Sequence, residues 1–323
     1  MPSIDLRPLS LGELLDRTFS LYRKNFWLVV GIMLLPQAVV VLATLGVQRL
    51  VSPASVSVPF PNDPAQAAAH LAQMMGSIFL GLGIYICIVY AVHTIALGAT
   101  TFAVSDVYLG RSTSISAAFA KLRGRITRLL GLNLAVVLVL ISCYFVLALL
   151  IAIFAGLLSL VSKPLAVLGG VIGFGLGVWF LIWMFLGFIV AVPSLLLENS
   201  GVITALKRSS ELLRGNRGRA FLIVFLMLLM TSVVSAVFQG PFLIASLVMV
   251  GKGEAMSFWL TGISAIAGGI GVALSAPLMM IAVALLYYDV RVRKEAFDLQ
   301  VMISELDGAA LPAAPTTPPA SIG

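Results

Sequence analysis

The stretch LSLGELLDRTFSLYRKNFWLVVGIMLLPQ, residues 9–37, holds two physical objects in a row. The first is an amphipathic helix. Ser10 offers an N-cap, and Glu13 three residues later completes a capping box. Leu11, Leu14, Leu15, Phe19, Tyr22 and Phe26 recur at spacings of three and four, while Glu13, Asp16, Arg17, Ser20, Arg23 and Lys24 fill the other face. The second object begins at Phe26 and meets no charge until Arg49, long enough to cross a bilayer as one helix. A basic surface helix therefore feeds a spanning helix.

Working outward, the same composition continues. The chain is 60% hydrophobic and 10% charged, against about 45–50% and about 25% in soluble domains. Runs without Asp, Glu, Lys or Arg cover residues 71–105, 129–162, 164–197, 220–251 and 255–288. Each exceeds the roughly 20 residues that a spanning helix needs. The strict polar–apolar alternation of a membrane barrel is absent, so these runs read as helices. The first run is longer than a secretory h-region and has no clear cleavage site, so it is expected to remain as the first span.

The reading is an all-α, polytopic membrane helix bundle: six transmembrane helices plus three cytoplasmic-side amphipathic helices. The spans fall at about 26–47, 77–103, 129–157, 167–192, 219–248 and 258–288. Residues 1–304 form the integral membrane domain, and the Pro/Ala-rich 305–323 form a disordered cytoplasmic tail. Seventeen of the 20 Lys and Arg residues fall on one side of this arrangement, leaving Arg49, Lys163 and Lys252 on the other. The positive-inside rule then places both termini in the cytoplasm. That bias accounts for the net charge of +7 without a nucleic-acid partner.

Punctuation fits the scheme. Asp63-Pro64 looks like an N-cap followed by proline at the first helical position, opening a short Ala-rich helix before span two. Gly110 ends span two, and Ser112, Thr113 and Ser114 offer caps for the second surface helix. Ser162-Lys163-Pro164 is an external turn, and Pro193 marks the end of span four. Gly169, Gly173 and Gly177 form overlapping Gly-xxx-Gly steps that let another helix approach closely. Gly215 closes the third surface helix. Pro277 interrupts span six, Gly268, Gly269 and Gly271 read as packing positions, and Tyr287 and Tyr288 suit the membrane boundary.

The pattern also suggests a threefold internal repeat. With Leu15, Phe119 and Leu206 in register, each copy has a basic residue two positions on: Arg17, Lys121 and Arg208. Further basic residues follow, Arg23 and Lys24, then Arg128, then Arg214. A span comes next, and each unit's second span ends near an acid: Asp106, Glu198 or Asp289. Part of this pattern is shared by any helix that enters a membrane from its basic side. The seven basic residues are candidate contacts to anionic lipid headgroups. The three acids are candidate structural partners of the surface helices.

Chemistry-bearing constellations are few. His93 is an ionisable residue within a span and hence an intramembrane polar candidate; its bland reading is a neutral imidazole bonded to a neighbouring helix. Cys87 and Cys143 read as apolar packing residues. No P-loop, HExxH or nucleophile elbow occurs, and GFGLG within span four lacks the strand–turn–helix setting of a nucleotide loop. No catalytic, metal or cofactor site is read, and no enzyme activity is expected.

RPLSLGELLDRTFSLYRKNF at 7–26, ITALKRSSELLRGNRGR at 203–219 and LLYYDVRVRKEAFDLQ at 285–300 resemble the membrane domain associated with bacterial glycerophosphoryl diester phosphodiesterases. In fused relatives a separate barrel of about 250 residues carries the hydrolysis. The resemblance therefore implies a stand-alone membrane module of the bacterial cytoplasmic (inner) membrane without that catalytic domain. The expected function is an accessory, scaffold or lipid-interacting module. The alternative is a transporter or flippase for a lipid or lipid-derived small molecule. Membrane lipids are the expected partners; a membrane-protein partner or a homo-oligomer stays open.

Overall fold

In the computed structural model, which describes residues 7–51, 63–252 and 257–296, Ser10 and Glu13 form the reciprocal capping box read from the sequence. The Ser10 hydroxyl accepts from the Glu13 amide at 3.2 Å, and the Glu13 carboxylate accepts from the Ser10 amide at 2.7 Å. They start α1 (Leu11–Lys24), which passes at Asn25 into α2 (Phe26–Val51). Then come α3 (Pro64–Tyr108), α4 (Ile115–Leu122), a 3-10 turn (Arg123–Arg125) and α5 (Ile126–Ser159). The remaining helices are α6 (Lys163–Phe188), α7 (Ala191–Leu197), α8 (Val202–Leu213), α9 (Arg217–Gly251) and α10 (Phe258–Glu295). Among the described residues there is no strand. The fold is an all-α bundle with six helical stretches long and apolar enough to cross a membrane. The short helices α1, α4 and α8 gather at one end, here called the basic end. The expected tail 305–323 and most of the loop after the first span lie outside the described residues.

Several boundaries differ from the sequence reading. The Ala-rich lead into span two is no separate helix: α3 runs unbroken for 45 residues from Asp63, whose side chain caps Ala65. Alanine propagates helix well, and Gly76 alone does not stop it. The helix of span four is broken before Pro193 and resumes past it. The helix breaks at Ile189 and Val190, and Pro193 lies inside α7. Proline has no N–H for the carbonyl four residues back and crowds it, so the break falls there. Tyr287 and Tyr288 are not boundary residues but are buried, 0% and 3% exposed. Cys87 is exposed rather than packed.

The core sits at the basic end. Apart from Gly81, the buried residues of α3 lie between Thr94 and Asp106, all but one of α7 is buried, and the buried residues of α10 continue to Val292. In the far halves, Phe79, Leu149, Phe174 and Leu247 point outward, as lipid-facing residues do. α10 packs between α9 and α2, and α2 packs on α3. Glycines set the close approaches. A Cβ at Gly268 would collide with the Gln239 side-chain amide, and one at Gly271 would lie 3.2 Å from Phe238. The α5–α6 hairpin closes the same way, with Gly169 against Leu158 and Gly173 against Ile151. This hairpin meets the rest of the bundle mainly at the basic end, which leaves an opening between them.

Candidate functional site: the clamped basic end and an intramembrane cavity

Asp106 and Glu198 each meet a cation of the next short helix, and Asp289 meets the backbone that leads into α1. α3 ends in a Schellman turn: Gly110 has φ +68°, the Arg111 amide donates to the Asp106 carbonyl at 2.8 Å, and the Gly110 amide donates to Val107 at 3.1 Å. The chain reverses, Ser114 caps α4, and Lys121 of α4 comes back onto the buried Asp106 carboxylate. α7 ends at Glu198, and Asn199 adopts φ +51° to turn the chain into α8. Arg208 of α8 then reaches Glu198 at 3.1 Å. Both pairs join neighbours in sequence. The third closes the circle across 280 residues: Asp289 of α10 accepts the Leu9 amide, just before α1, at 2.8 Å.

The Asp289 contact is the most enclosed. Its carboxylate also takes Arg293 at 3.0 Å and Arg219 of α9 at 3.3 Å. Both guanidinium groups donate in turn to the Leu9 carbonyl at 2.5 Å. Leu9 is thus held at both backbone groups by α9 and α10, which fixes the entry of α1. Around Glu198 a wider network forms. Tyr287 donates to it at 2.9 Å, Arg208 also pairs with Glu295, and Arg291 joins Glu295 at 3.1 Å. Burial pulls the Arg208 guanidinium down, but the hydrogen bonds and charges of Glu198 and Glu295 outweigh it and raise it above its ordinary value.

The seven basic residues divide. Lys121 and Arg208 hold acids within the protein. Arg17 donates to the Tyr108 hydroxyl at 3.2 Å, and Arg128 donates to Asn199 at 3.2 Å. Arg23, Lys24 and Arg214 are exposed. Amphipathic periodicity shows which face a cation is on, but not that the preceding span delivers a carboxylate to it. Sequence reasoning also missed Arg217 and Arg219, at the mouth of span five, and Glu295. The spacing of Asp289 and Arg293, four apart on one helix, was the available signal.

Within the spans, polar groups meet across helices. His93 lies 3.3 Å from the Gln37 amide of α2, with its other ring nitrogen 3.2 Å from the Val89 carbonyl. Asn133 of α5 donates to Thr94 of α3 at 3.1 Å, and Gln48 of α2 donates to Thr261 of α10 at 2.9 Å. Such contacts between helices are favoured in lipid, where an unpaired polar group has no water to turn to. No group of three or more His, Cys, Asp or Glu side chains is arranged to hold a metal among the described residues.

The opening between the α5–α6 hairpin and the rest of the bundle is a cavity of about 630 Å³. α3, α5, α6, α7, α9 and α10 all line it. Val136, Phe188, Leu228 and Met279 typify its apolar walls, and the broken segment Ile189 to Pro193 forms one side. A sparse set of polar side chains enters it: Thr101, Asn133, Thr231, Ser232, and Ser235 with Ser275, whose hydroxyls lie 3.3 Å apart. Its size falls in the range of ligand sites.

Taken together, the apolar spans and the short helices clamped at one end define a multi-pass α-helical membrane protein. The chain belongs to the family described as Domain of unknown function (DUF8558), matched over residues 5–288. Neither the comparison with curated proteins nor that with solved structures gives a match.

Proposed function

We propose that this protein is a non-enzymatic lipid-interacting module of the bacterial cytoplasmic membrane, with both termini in the cytoplasm and the basic end facing it. The observation that carries the reading is the 630 Å³ cavity between the hairpin and the bundle. Its apolar walls suit an acyl or isoprenoid chain, and its few hydroxyl and amide groups suit an ester or other sparse polar function. The excess of Lys and Arg at the basic end supports the orientation. The likeness of the three sequence motifs to the phosphodiesterase-associated membrane domain is in keeping with the same reading.

A second reading has its own support. The cavity is lined by Ile189 at the helix break and by Ala191 to Pro193 just after it, and broken helices beside a central site are a feature of transporters. One experiment separates the two. The protein is reconstituted into vesicles with a panel of fluorescent phospholipids and glycerophosphodiesters. Saturable binding without movement between leaflets or across the bilayer supports the module. Protein-dependent movement selects the transporter, and neither binding nor movement removes both.

A further inference from the structure

The geometry points to a second site: the notch where α6, α8 and α9 meet at the basic end binds the phosphate of an anionic phospholipid. This goes beyond the cavity reading, since the notch is lined by different residues and stands whether or not the cavity is filled. It encloses about 610 Å³ against Trp183, Ser210, Arg214, Arg217 and Gly218.

Arg217 lines the notch. Its guanidinium stacks 3.6 Å from the centre of the Trp183 ring, and Nη2 donates to the Ser210 hydroxyl at 3.3 Å. Nε and Nη1 have no hydrogen-bond partner among the described residues. They are closed to solvent in this rotamer, so the phosphate oxygen, the acceptor a guanidinium fits best, meets them when the side chain turns off Trp183 toward the notch. Arg208, Arg219, Arg291 and Arg293 each have a carboxylate, whereas neither Arg217 nor Arg214 pairs with one among the described residues. Lys294 adds charge close by, its ammonium on the Arg214 and Glu211 carbonyls at 2.8 and 2.7 Å. Glu211, exposed on α8, is the nearby acid and does not line the notch.

The backbone points the same way. The first-turn amides of α9 have no acceptor within the helix, and the Asn216 side chain does not cap them. A Cβ built at Gly218 would meet nothing within 4 Å, so the backbone there is open to an approaching oxygen. The positive end of the helix adds to the cationic side chains. A lipid source, rather than free phosphate, follows from what lies along α9. Phe221 and Phe225, four and eight residues past Arg217 on the same face, are 44% and 49% exposed and stack on each other. A cationic notch above an apolar track matches a phospholipid headgroup above its acyl chains, with Trp183 at the interface where indoles are favoured.

The test uses the full chain, delipidated in mild detergent and titrated with phosphatidylglycerol, with bound lipid counted by native mass spectrometry. The parent should bind one phosphatidylglycerol more tightly than phosphatidylcholine, and Arg217→Gln should weaken that event by about tenfold, the loss of one charge-assisted contact. Arg123→Gln, an exposed cation outside the notch, should change it less than about twofold. Arg214→Gln should weaken it about threefold; its side chain has no partner among the described residues, so it keeps the test decisive if Arg217→Gln does not fold. Equal effects of the Arg123 and Arg214 variants would overturn the site. Displacement of the lipid by millimolar inorganic phosphate would overturn the lipid assignment in favour of free phosphate.

Discussion

Replacing Asp289 by Asn should unfasten α1 from the bundle. The carboxylate is 1% exposed and meets three donors: the Leu9 amide at 2.8 Å, Arg293 at 3.0 Å and Arg219 at 3.3 Å. Asn keeps one oxygen for Leu9 but turns an N–H₂ group toward two guanidinium ions. Breaking one side of a buried ion pair costs about 3–5 kcal/mol. Here both arginines keep the Leu9 carbonyl at 2.5 Å, and their side chains are 22% and 32% exposed. The lower end, about 3 kcal/mol, is therefore expected. Asp106→Asn is the internal comparison: Lys121 is 46% exposed and can turn to water, so about 1 kcal/mol is expected. Denaturant titration in mild detergent measures both, and limited proteolysis near Leu9 reports the release of α1. An Asp289 variant within about 0.5 kcal/mol of the parent, or less affected than Asp106→Asn, would refute the reasoning.

Three further outcomes follow from the geometry. The Glu13 carboxyl is held down to about 2, against an ordinary 4.5, by its hydrogen bonds to the Ser10 backbone and to Arg7. Because the folded value is depressed, its contribution to α1 is complete above about pH 4.5 and fades as pH falls toward 2; Glu13→Gln should remove this acid dependence, read by proteolytic protection of α1. Gly173→Val should loosen the α5–α6 hairpin by about 1–3 kcal/mol, because even a Cβ would lie 3.2 Å from Ile151; unchanged thermal stability in detergent would contradict that packing. Gln37→Leu should cost about 1 kcal/mol through loss of the His93 contact, and the same change in a His93→Leu background should cost less.

Much of the fold was legible because membranes simplify the problem. Charge-free runs mark spans, basic residues mark an end, and Ser10, Asp63, Gly110, Ser114 and Gly215 punctuate helices for local reasons. The capping box and the α5–α6 glycine faces needed no knowledge of tertiary structure. The acids were legible as a repeated position, but their partners were only partly so. Lys121 and Arg208 lie within 15 residues of Asp106 and Glu198, whereas the Leu9 amide is a backbone group 280 residues from Asp289, with no side-chain signal. Tyr287 and Tyr288 misled because aromatic residues near a span end resemble interface residues; one donates to Glu198 and the other bonds Ser105 at 2.6 Å inside the core. The cavity was not legible at all. It depends on how far the α5–α6 hairpin stands from α3, α9 and α10, and no local pattern encodes that spacing.

The central functional claim is that a lipid chain occupies this cavity, and photo-crosslinking tests it most directly. A phospholipid with a diazirine at the end of an acyl chain is equilibrated with the protein in membranes, irradiated, and the adducts are mapped by peptide mass spectrometry. The account predicts saturable adducts on cavity residues such as Val136, Leu228 and Met279, lost when Ala276→Phe fills the space. Adducts confined to outward residues such as Leu149, Phe174 and Leu247, or a pattern that Ala276→Phe leaves unchanged, would contradict it.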